Sequence, residues 1–172
     1  MNETLKILKE RRSVRRYEAR PVEREKLDAI LEAGKYAPSA KGQQSVTMVV
    51  LTKREDIAEL SALNAAVMGT SSDPFFGAPC VVVVLADGEN PNWMADGSLV
   101  LGNLMTAAWS LGVGSCWINR ARELFDMPEG KALLEKWGLP ETLRGVGNCI
   151  LGYAEGPVPA PKPRKDGYIV RV

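Results

Sequence analysis

The sequence predicts an α+β fold, in which helices and strands alternate to form a three-layer sandwich about a mixed sheet. Cys80–Leu85 is a run that is apolar on both faces, which is typical of a central strand covered by helices above and below. Segments with apolar residues at helical spacing lie on either side of it. The 172 residues, 45% of them apolar and 25% charged, suit one globular domain over 1–172, of which 156–172 form an extended arm.

The first third of the chain predicts two helices, a polar loop and a strand. Thr4–Glu10 is a short helix with apolar residues among charges. Pro21 is expected in the first turn of the second helix, where its missing N–H costs nothing. That helix should end at Ala37–Ser39, because a residue that precedes proline disfavours the α conformation. A polar loop over 39–45 and the β-rich run Val46–Leu51 follow.

The middle of the chain predicts two longer helices around the central strand. Arg54–Met68 carries an apolar stripe at helical spacing. Trp93–Leu111 has apolar residues around most of its circumference, which predicts a helix that is buried nearly all round.

The last part of the chain predicts two strands, a helix between them and an extended arm. Ser115–Ile118 and Asn148–Tyr153 are the strands, and the helix covers about Gly130–Trp137. In the arm, Gly156–Arg164 has proline at every second position, which favours a polyproline-like conformation. Tyr168–Val172 is again strand-like, and two placements stay open: a strand added to a partner subunit, or an edge strand in its own sheet.

Composition excludes several classes of function. Lys and Arg number 22 against 21 Asp and Glu, whereas a non-specific nucleic-acid binder is usually strongly basic. The longest apolar runs are too short to cross a bilayer, and the N-terminus lacks an apolar signal segment, so a cytoplasmic protein without nucleic-acid or membrane partners is expected.

The nucleophilic and metal-binding side chains are sparse. The chain has no histidine, which removes Ser-His-Asp, Cys-His and HExxH sites. An enzyme with this composition is expected to use a cofactor for its chemistry. Cys80, Cys116 and Cys149 form no CxxC pair and lie in apolar strands, so we expect small buried side chains rather than metal ligands.

Four stretches carry groups that suit a ligand. Arg11–Arg15 and Lys162–Arg164 are basic and lie at opposite ends of the chain, where they could neutralise one phosphate, although a solvated basic turn is the alternative. Pro38–Gln44 offers neutral donors and acceptors. Gly112–Trp117 would allow backbone to approach a flat ring closely. Phosphate, polar chain and flat heterocycle are the parts of FMN.

Five short motifs follow one another along the whole chain: Arg11-Arg12-Ser13-Val14-Arg15 with Tyr17, Ala37-Pro38-Ser39 with Gln44, Phe76-Gly77-Ala78-Pro79, Leu111-Gly112-Val113-Gly114-Ser115-Cys116-Trp117-Ile118, and Gly152-Tyr153 with the later Pro-Lys-Pro-Arg. In this order they resemble the FMN-dependent nitroreductase family, and in particular its compact members. The resemblance implies an α+β, three-layer α/β/α sandwich with a mixed, mainly antiparallel sheet. It also implies a homodimer with FMN at the interface and a C-terminal strand exchanged between subunits.

The resemblance also implies a set of FMN-binding residues. The residues implied for the phosphate are Arg11 and Arg164, with Lys162 as an additional candidate and Arg12 at either the phosphate or the surface. Those for the ribityl chain and pyrimidine edge are Ser13 and Arg15, with Arg15 as electrostatic stabiliser. Those from the second subunit are Pro38, Ser39, Ala40 and Gln44, of which Gln44 could instead brace the loop. Those beside the ring are Ser115, Cys116 and Trp117, of which Trp117 could instead be a core aromatic.

The implied function is ping-pong hydride transfer, in which NAD(P)H reduces FMN and an electron-poor acceptor such as a nitroaromatic or quinone reoxidises it. The alternatives are a flavin-storing or flavin-sensing protein, a different flavin reaction in the same superfamily, or, from the basic cluster, a phosphate- or nucleic-acid-binding module. One departure concerns the loop: the family's asparagine and Pro-Trp are replaced by Gly42 and Ser45-Val46.

Overall fold

The computed structural model describes residues 2–172, which form six α-helices and four strands. In chain order these elements are α1 (Glu3–Glu10), α2 (Arg24–Lys35), β1 (Val46–Leu51), α3 (Arg54–Met68), β2 (Cys80–Asp87), α4 (Trp93–Ser110), β3 (Gly114–Ile118), α5 (Ala121–Asp126), α6 (Pro128–Lys136) and β4 (Leu143–Gly152). A 3₁₀ turn, Ala40–Gly42, lies in the polar loop before β1.

The sheet has the order β1-β2-β4-β3, and each neighbouring pair is antiparallel. The parallel component of the predicted mixed sheet is a single bridge between Ser13 and Ser115 at the outer edge of β3. The prediction of a central strand at Cys80–Leu85 is confirmed, because β2 is an inner strand and is buried from Cys80 to Ala86.

Two hydrophobic clusters on opposite faces of the sheet confirm the three layers. Successive side chains of a strand point to opposite faces. Val82 and Val84 therefore pack with residues of α2 and α4, while Val81 and Val83 pack with residues of α3, α5 and α6. The side chain of Phe125, on α5, is fully buried in the second cluster.

Several predicted boundaries were wrong. The second helix begins at Arg24, because Glu23 at the N-cap position still has an extended backbone, so Pro21 lies outside the first turn. The helix predicted near Gly130–Trp137 begins earlier, at Pro128. The helix α5 was missed, since six residues are too few for a helical periodicity to be read. The last strand begins at Leu143 rather than Asn148.

The prediction that the longest helix is buried nearly all round was wrong for one face. Leu99 on α4 is 46% exposed, and several apolar neighbours on that helix are only partly buried. The helix covers the sheet with one face and leaves another face uncovered in the single chain.

The C-terminal arm is extended, as expected, but it forms no strand within its own chain. Residues 157–165 contain neither helix nor strand, and Tyr168–Val172 also pairs with no strand. The placement as an edge strand of its own sheet was therefore wrong. Ile169 is 71% exposed, so the tip of the arm makes little contact with the described chain. Within residues 2–172 no helix has the length and apolar character needed to cross a membrane.

Candidate functional site

The arginine cluster lies in an extended segment that runs from the end of α1 along the edge of the sheet. The N–H of Arg11 donates to the carbonyl of Ile7 and closes the helix. The N–H of Val14 then donates to the carbonyl of Ser115 on β3 at 2.9 Å. Tyr17 forms an antiparallel bridge with Ala154. These contacts fix the backbone of the cluster at two points.

Val14 is the anchor of this segment. Its side chain is buried, and it rests against Gly114, where an added Cβ would lie 2.8 Å from the Cγ2 atom of Val14. The hydroxyl of Tyr17 donates to the carbonyl of Val14 at 2.7 Å, and burial of that ring strongly raises the pKa of Tyr17. Because side chains alternate in an extended chain, burying Val14 turns Ser13 and Arg15 the other way.

The two basic stretches from opposite ends of the chain meet around one cavity, of about 340 Å³. Its lining residues are Arg11, Arg12, Ser13, Arg15, Pro159, Ala160, Pro161, Lys162 and Arg164. Five of them are cations and none is acidic, so the cavity has a strongly positive potential.

Two buried guanidinium atoms in this region have no hydrogen-bond partner among the described residues, Nη1 of Arg11 and Nε of Arg12. An unpaired buried donor is costly, and more so when it is charged. Arg12 is partly accounted for, because its Nη1 donates to the carbonyls of Lys9 and Arg11 at the end of α1. Nη1 of Arg11 is left without a partner among residues 2–172, while the Arg11 side chain as a whole lines the cavity, where a guanidinium suits an oxyanion such as phosphate.

The β3 residues adjoin this segment and also belong to the core. Ser115 is buried, and its Oγ has no partner among residues 2–172; the same holds for Nε1 of Trp117. Trp117 packs against the hydrophobic cluster that contains residues of α2 and α4, which supports its role as a core aromatic. The Cys116 side chain belongs to the opposite cluster. Only the backbone of Cys116 is therefore available to a ligand near Ser115.

All three cysteines are free and buried, which confirms the prediction of small core side chains. Removal from water raises the pKa of Cys80 to about 12 and raises that of Cys149 as well. Their thiols are thus held in the neutral form at physiological pH.

The Pro38–Gln44 loop is not part of the basic cavity of the same chain. Pro38, Ser39 and Gln44 line a different cavity, of about 130 Å³, together with Asp96 and residues of α2, β1 and α4. Gln44 is exposed, and its backbone N–H donates to the hydroxyl of Ser39 at 3.0 Å. Within one chain, the predicted site residues are therefore found in three places: around the basic cavity, on β3, and in the Pro38–Gln44 loop.

A model of the nitroreductase family matches residues 8–153. The chain belongs to the nitroreductase family. It is 33% identical over 174 residues to a protein of Archaeoglobus fulgidus provisionally named as an NADH dehydrogenase/NAD(P)H nitroreductase, covering 98% of this chain and 91% of the relative. It is 29% identical over 170 residues to the FMN reductase [NAD(P)H] of Bacillus subtilis, covering 89% and 66%.

Solved structures show the same fold. A crystal structure of a nitroreductase with bound FMN from Bacteroides fragilis superposes with a TM-score of 0.92 at 31% identity, covering 100% of both chains. Another, from Desulfitobacterium hafniense, also with bound FMN, has a TM-score of 0.89 at 28% identity, covering 100% and 99%. The nitroreductase fold predicted from the motifs is therefore confirmed.

Sequence reasoning missed two residues that organise the loop of this nitroreductase. Asp96 on α4 accepts from the N–H of Ala40 at 3.0 Å and from the amide of Asn90 at 3.1 Å. The sequence contained one sign of this role, because Asp96 is an acidic residue within the most apolar helix. A buried charge of this kind needs partners, and here the loop supplies one of them.

Proposed function

We propose that this nitroreductase is an FMN-dependent oxidoreductase that uses NAD(P)H to reduce electron-poor acceptors such as nitroaromatics and quinones. The observation that carries the proposal is a cavity lined by five cations from both ends of the chain, Arg11 among them. Relatives that are named for NAD(P)H and FMN, or contain FMN, support the same cofactor.

The residues present fit FMN. Arg11, Lys162 and Arg164 would hold the phosphate, because a dianion satisfies several guanidinium and ammonium donors at once. Ser13 and Arg15 line the same cavity and would contact the ribityl chain and the ring edge. The chemistry that FMN supplies when bound is transfer of a hydride from NAD(P)H to the acceptor in two half-reactions.

The chain's own contribution is binding, orientation and electrostatics. The guanidinium of Arg15 would place positive charge beside the ring edge, where negative charge develops on reduction. Because a bound cofactor carries the hydride, no side-chain acid or base is required, which suits a chain without histidine.

We also propose a homodimer, in which Pro38, Ser39, Ala40 and Gln44 of one subunit approach the FMN of the other. Three features support it: the uncovered face of α4 around Leu99, the exposed arm tip, and the open edge of β1. The outer edge of β3 is partly occupied by the Ser13 bridge, whereas β1 pairs only with β2 among the described strands. The arm tip of the partner would therefore add to β1.

The test begins with the absorption spectrum of purified protein that has been saturated with FMN and freed of excess. A bound flavin that bleaches on anaerobic addition of NADH or NADPH, and recovers its colour with a nitroaromatic or quinone, supports the proposal. Bound flavin that neither nicotinamide bleaches would favour flavin storage or sensing. Protein that retains no flavin would refute both functions.

A further inference from the structure

A partly buried hydrogen-bond network connects the Pro38–Gln44 loop to the helix α4. We call Asp96, Asn90 and Ser45 the loop network. Asp96 is only 3% exposed and Asn90 only 8%. Nδ2 of Asn90 donates both to Oδ2 of Asp96, at 3.1 Å, and to the hydroxyl of Ser45, at 2.8 Å. Oδ1 of Asp96 accepts from the N–H of Ala40 at 3.0 Å.

The network holds both ends of the loop. Ala40 is bonded to Asp96 near its start, and Ser45 is bonded at its end to Asn90 and, through its carbonyl, to the N–H of Asp87 at 3.0 Å. Between these points the backbone is strained. Lys41 and Gln44 have φ values of 54° and 51°, a region that residues other than glycine rarely adopt. Such a conformation persists only where surrounding contacts determine it.

The chemistry of the network requires a carboxylate at position 96. An ionised carboxylate only accepts hydrogen bonds, and both groups that face Asp96 are donors. Its place in the first turn of α4 also favours a negative charge, since the N-terminal end of a helix is positive. Asn90 cannot turn its amide round without loss, because its Oδ1 already accepts from the N–H of Asn92 at 2.9 Å.

We propose that Asp96 and Asn90 are positioning residues, which keep the Pro38–Gln44 loop in the conformation in which it contacts the cofactor. The inference rests on the proposed function for the identity of that cofactor. The inference also gives a role to Ser45, which stands where the family's loop motif has proline. The Ser45 hydroxyl accepts a hydrogen bond from Nδ2 of Asn90, which a proline could not do. The network thus replaces a constraint that the loop's own residues lack.

The experiment compares Asp96→Asn and Ser45→Ala with wild type, and with Asp28→Asn, which removes an exposed carboxylate from α2. The first readout is hydrogen–deuterium exchange of peptides covering 37–46. In D96N one amide N–H₂ must face a donor, so we expect exchange of the Ala40 and Gln44 amides to accelerate about 10-fold or more, with β2 unchanged. S45A, which removes one bond and leaves the carboxylate, should give a smaller increase.

The second readout is the FMN dissociation constant, together with the separate kcat and KM values for an acceptor. We expect D96N to weaken FMN binding or raise KM more than it lowers kcat, and D28N to match wild type. Unchanged loop exchange in D96N and S45A would overturn the inference. So would faster exchange with unaltered FMN affinity and kinetics, which would leave the proposed function intact. If wild type binds no FMN, the proposed function fails, while the exchange data still decide whether the network holds the loop.

Discussion

The N–H of Val14 donates to the carbonyl of Ser115 at 2.9 Å, and this bond places the arginine cluster at the edge of the sheet. The side chain of Val14 is buried against Gly114, and this burial fixes which side chains of the segment point away from the core. The arginines on either side then line the basic cavity with the C-terminal arm. A main-chain bond to β3 thereby fixes the segment whose arginines meet the C-terminal arm in one cavity.

Replacement of Arg11 by alanine should weaken FMN binding. A buried charge-assisted bond contributes about 1.5–3 kcal/mol, so we expect the dissociation constant to rise about 10- to 100-fold. Fluorescence titration of the apoprotein with FMN measures this. Arg16→Ala is the matched control, because the Arg16 side chain is 75% exposed and, among residues 2–172, pairs only with Glu155 at the surface. Equal affinities for R11A and R16A would contradict the assignment.

Two glycines allow a comparison of rigid with adaptable surroundings. A Cβ at Gly145 would lie 2.1 Å from the carbonyl oxygen of Ala121, which is backbone, so Gly145→Ala should lower the free energy of unfolding by about 3 kcal/mol. At Gly34 the nearest atoms are the side-chain ends of Leu104 and Met48, at 2.9 and 3.0 Å.

For Gly34→Ala we expect a small net change, because a gain in helix propensity of about 1 kcal/mol offsets the tight contact. Urea unfolding followed by circular dichroism measures both variants. A G145A protein as stable as G34A would show that the contact with α5 relaxes without cost.

The ion pair between Asp126 and Arg144 should make stability depend on acid pH. Arg144 donates to both carboxylate oxygens and lowers the pKa of Asp126. The unfolded state therefore binds the proton more readily, so the stabilisation is complete at neutral pH and is lost as the pH falls through the ordinary aspartate range and then the lower folded pKa.

The magnitude is modest, about 0.5–1 kcal/mol, because the Asp126 side chain is 39% exposed and screened by solvent. The measurement is the difference in urea midpoint between wild type and Asp126→Asn at pH 6 and pH 3, with Asp28→Asn reporting the loss of one exposed carboxylate. We expect this difference in urea midpoint to shrink toward pH 3. A difference that grows as the pH falls would contradict the prediction.

The cysteines should be unreactive in the folded protein. All three are buried, and burial raises the pKa of Cys80 to about 12, so the thiolate is scarce and inaccessible. Ellman's reagent should therefore modify them slowly in buffer and completely in guanidinium chloride. Rapid modification of the native protein would indicate opening of the strands that carry Cys80 and Cys149.

The arm tip should stabilise the proposed dimer. Ile169→Asp places a charge in the exposed apolar segment that would add to β1 of the partner. We therefore expect the variant dimer to dissociate at a higher protein concentration than the wild-type dimer. Sedimentation velocity across a concentration series measures this. Arg171→Asp, which alters a residue of the same segment that is already charged, is the control. Dimerisation of I169D at the wild-type concentration would remove the arm from the interface.

Local patterns predicted most of the elements. Val46–Leu51 and Arg54–Met68 were predicted with the observed bounds, because long β-branched and periodic runs leave little choice of conformation. The start of β4 was hidden by Gly145 and Gly147, which lack the side chains that mark a strand. These glycines are required by close neighbours in the fold, Ala121 and Trp117, which a sequence window does not contain.

The sequence by itself determined the core strand, the layer order and the presence of two basic stretches at opposite ends of the chain. Only the tertiary structure decided that these stretches line one cavity, since that depends on the bridge between Ser13 and Ser115, which are 102 positions apart. It likewise decided that Asp96 is bonded to Ala40, and that the uncovered face of α4 includes Leu99. Composition and periodicity indicate which side chains are buried. Contacts between residues distant in the chain depend on how the whole fold packs, which a local pattern does not contain.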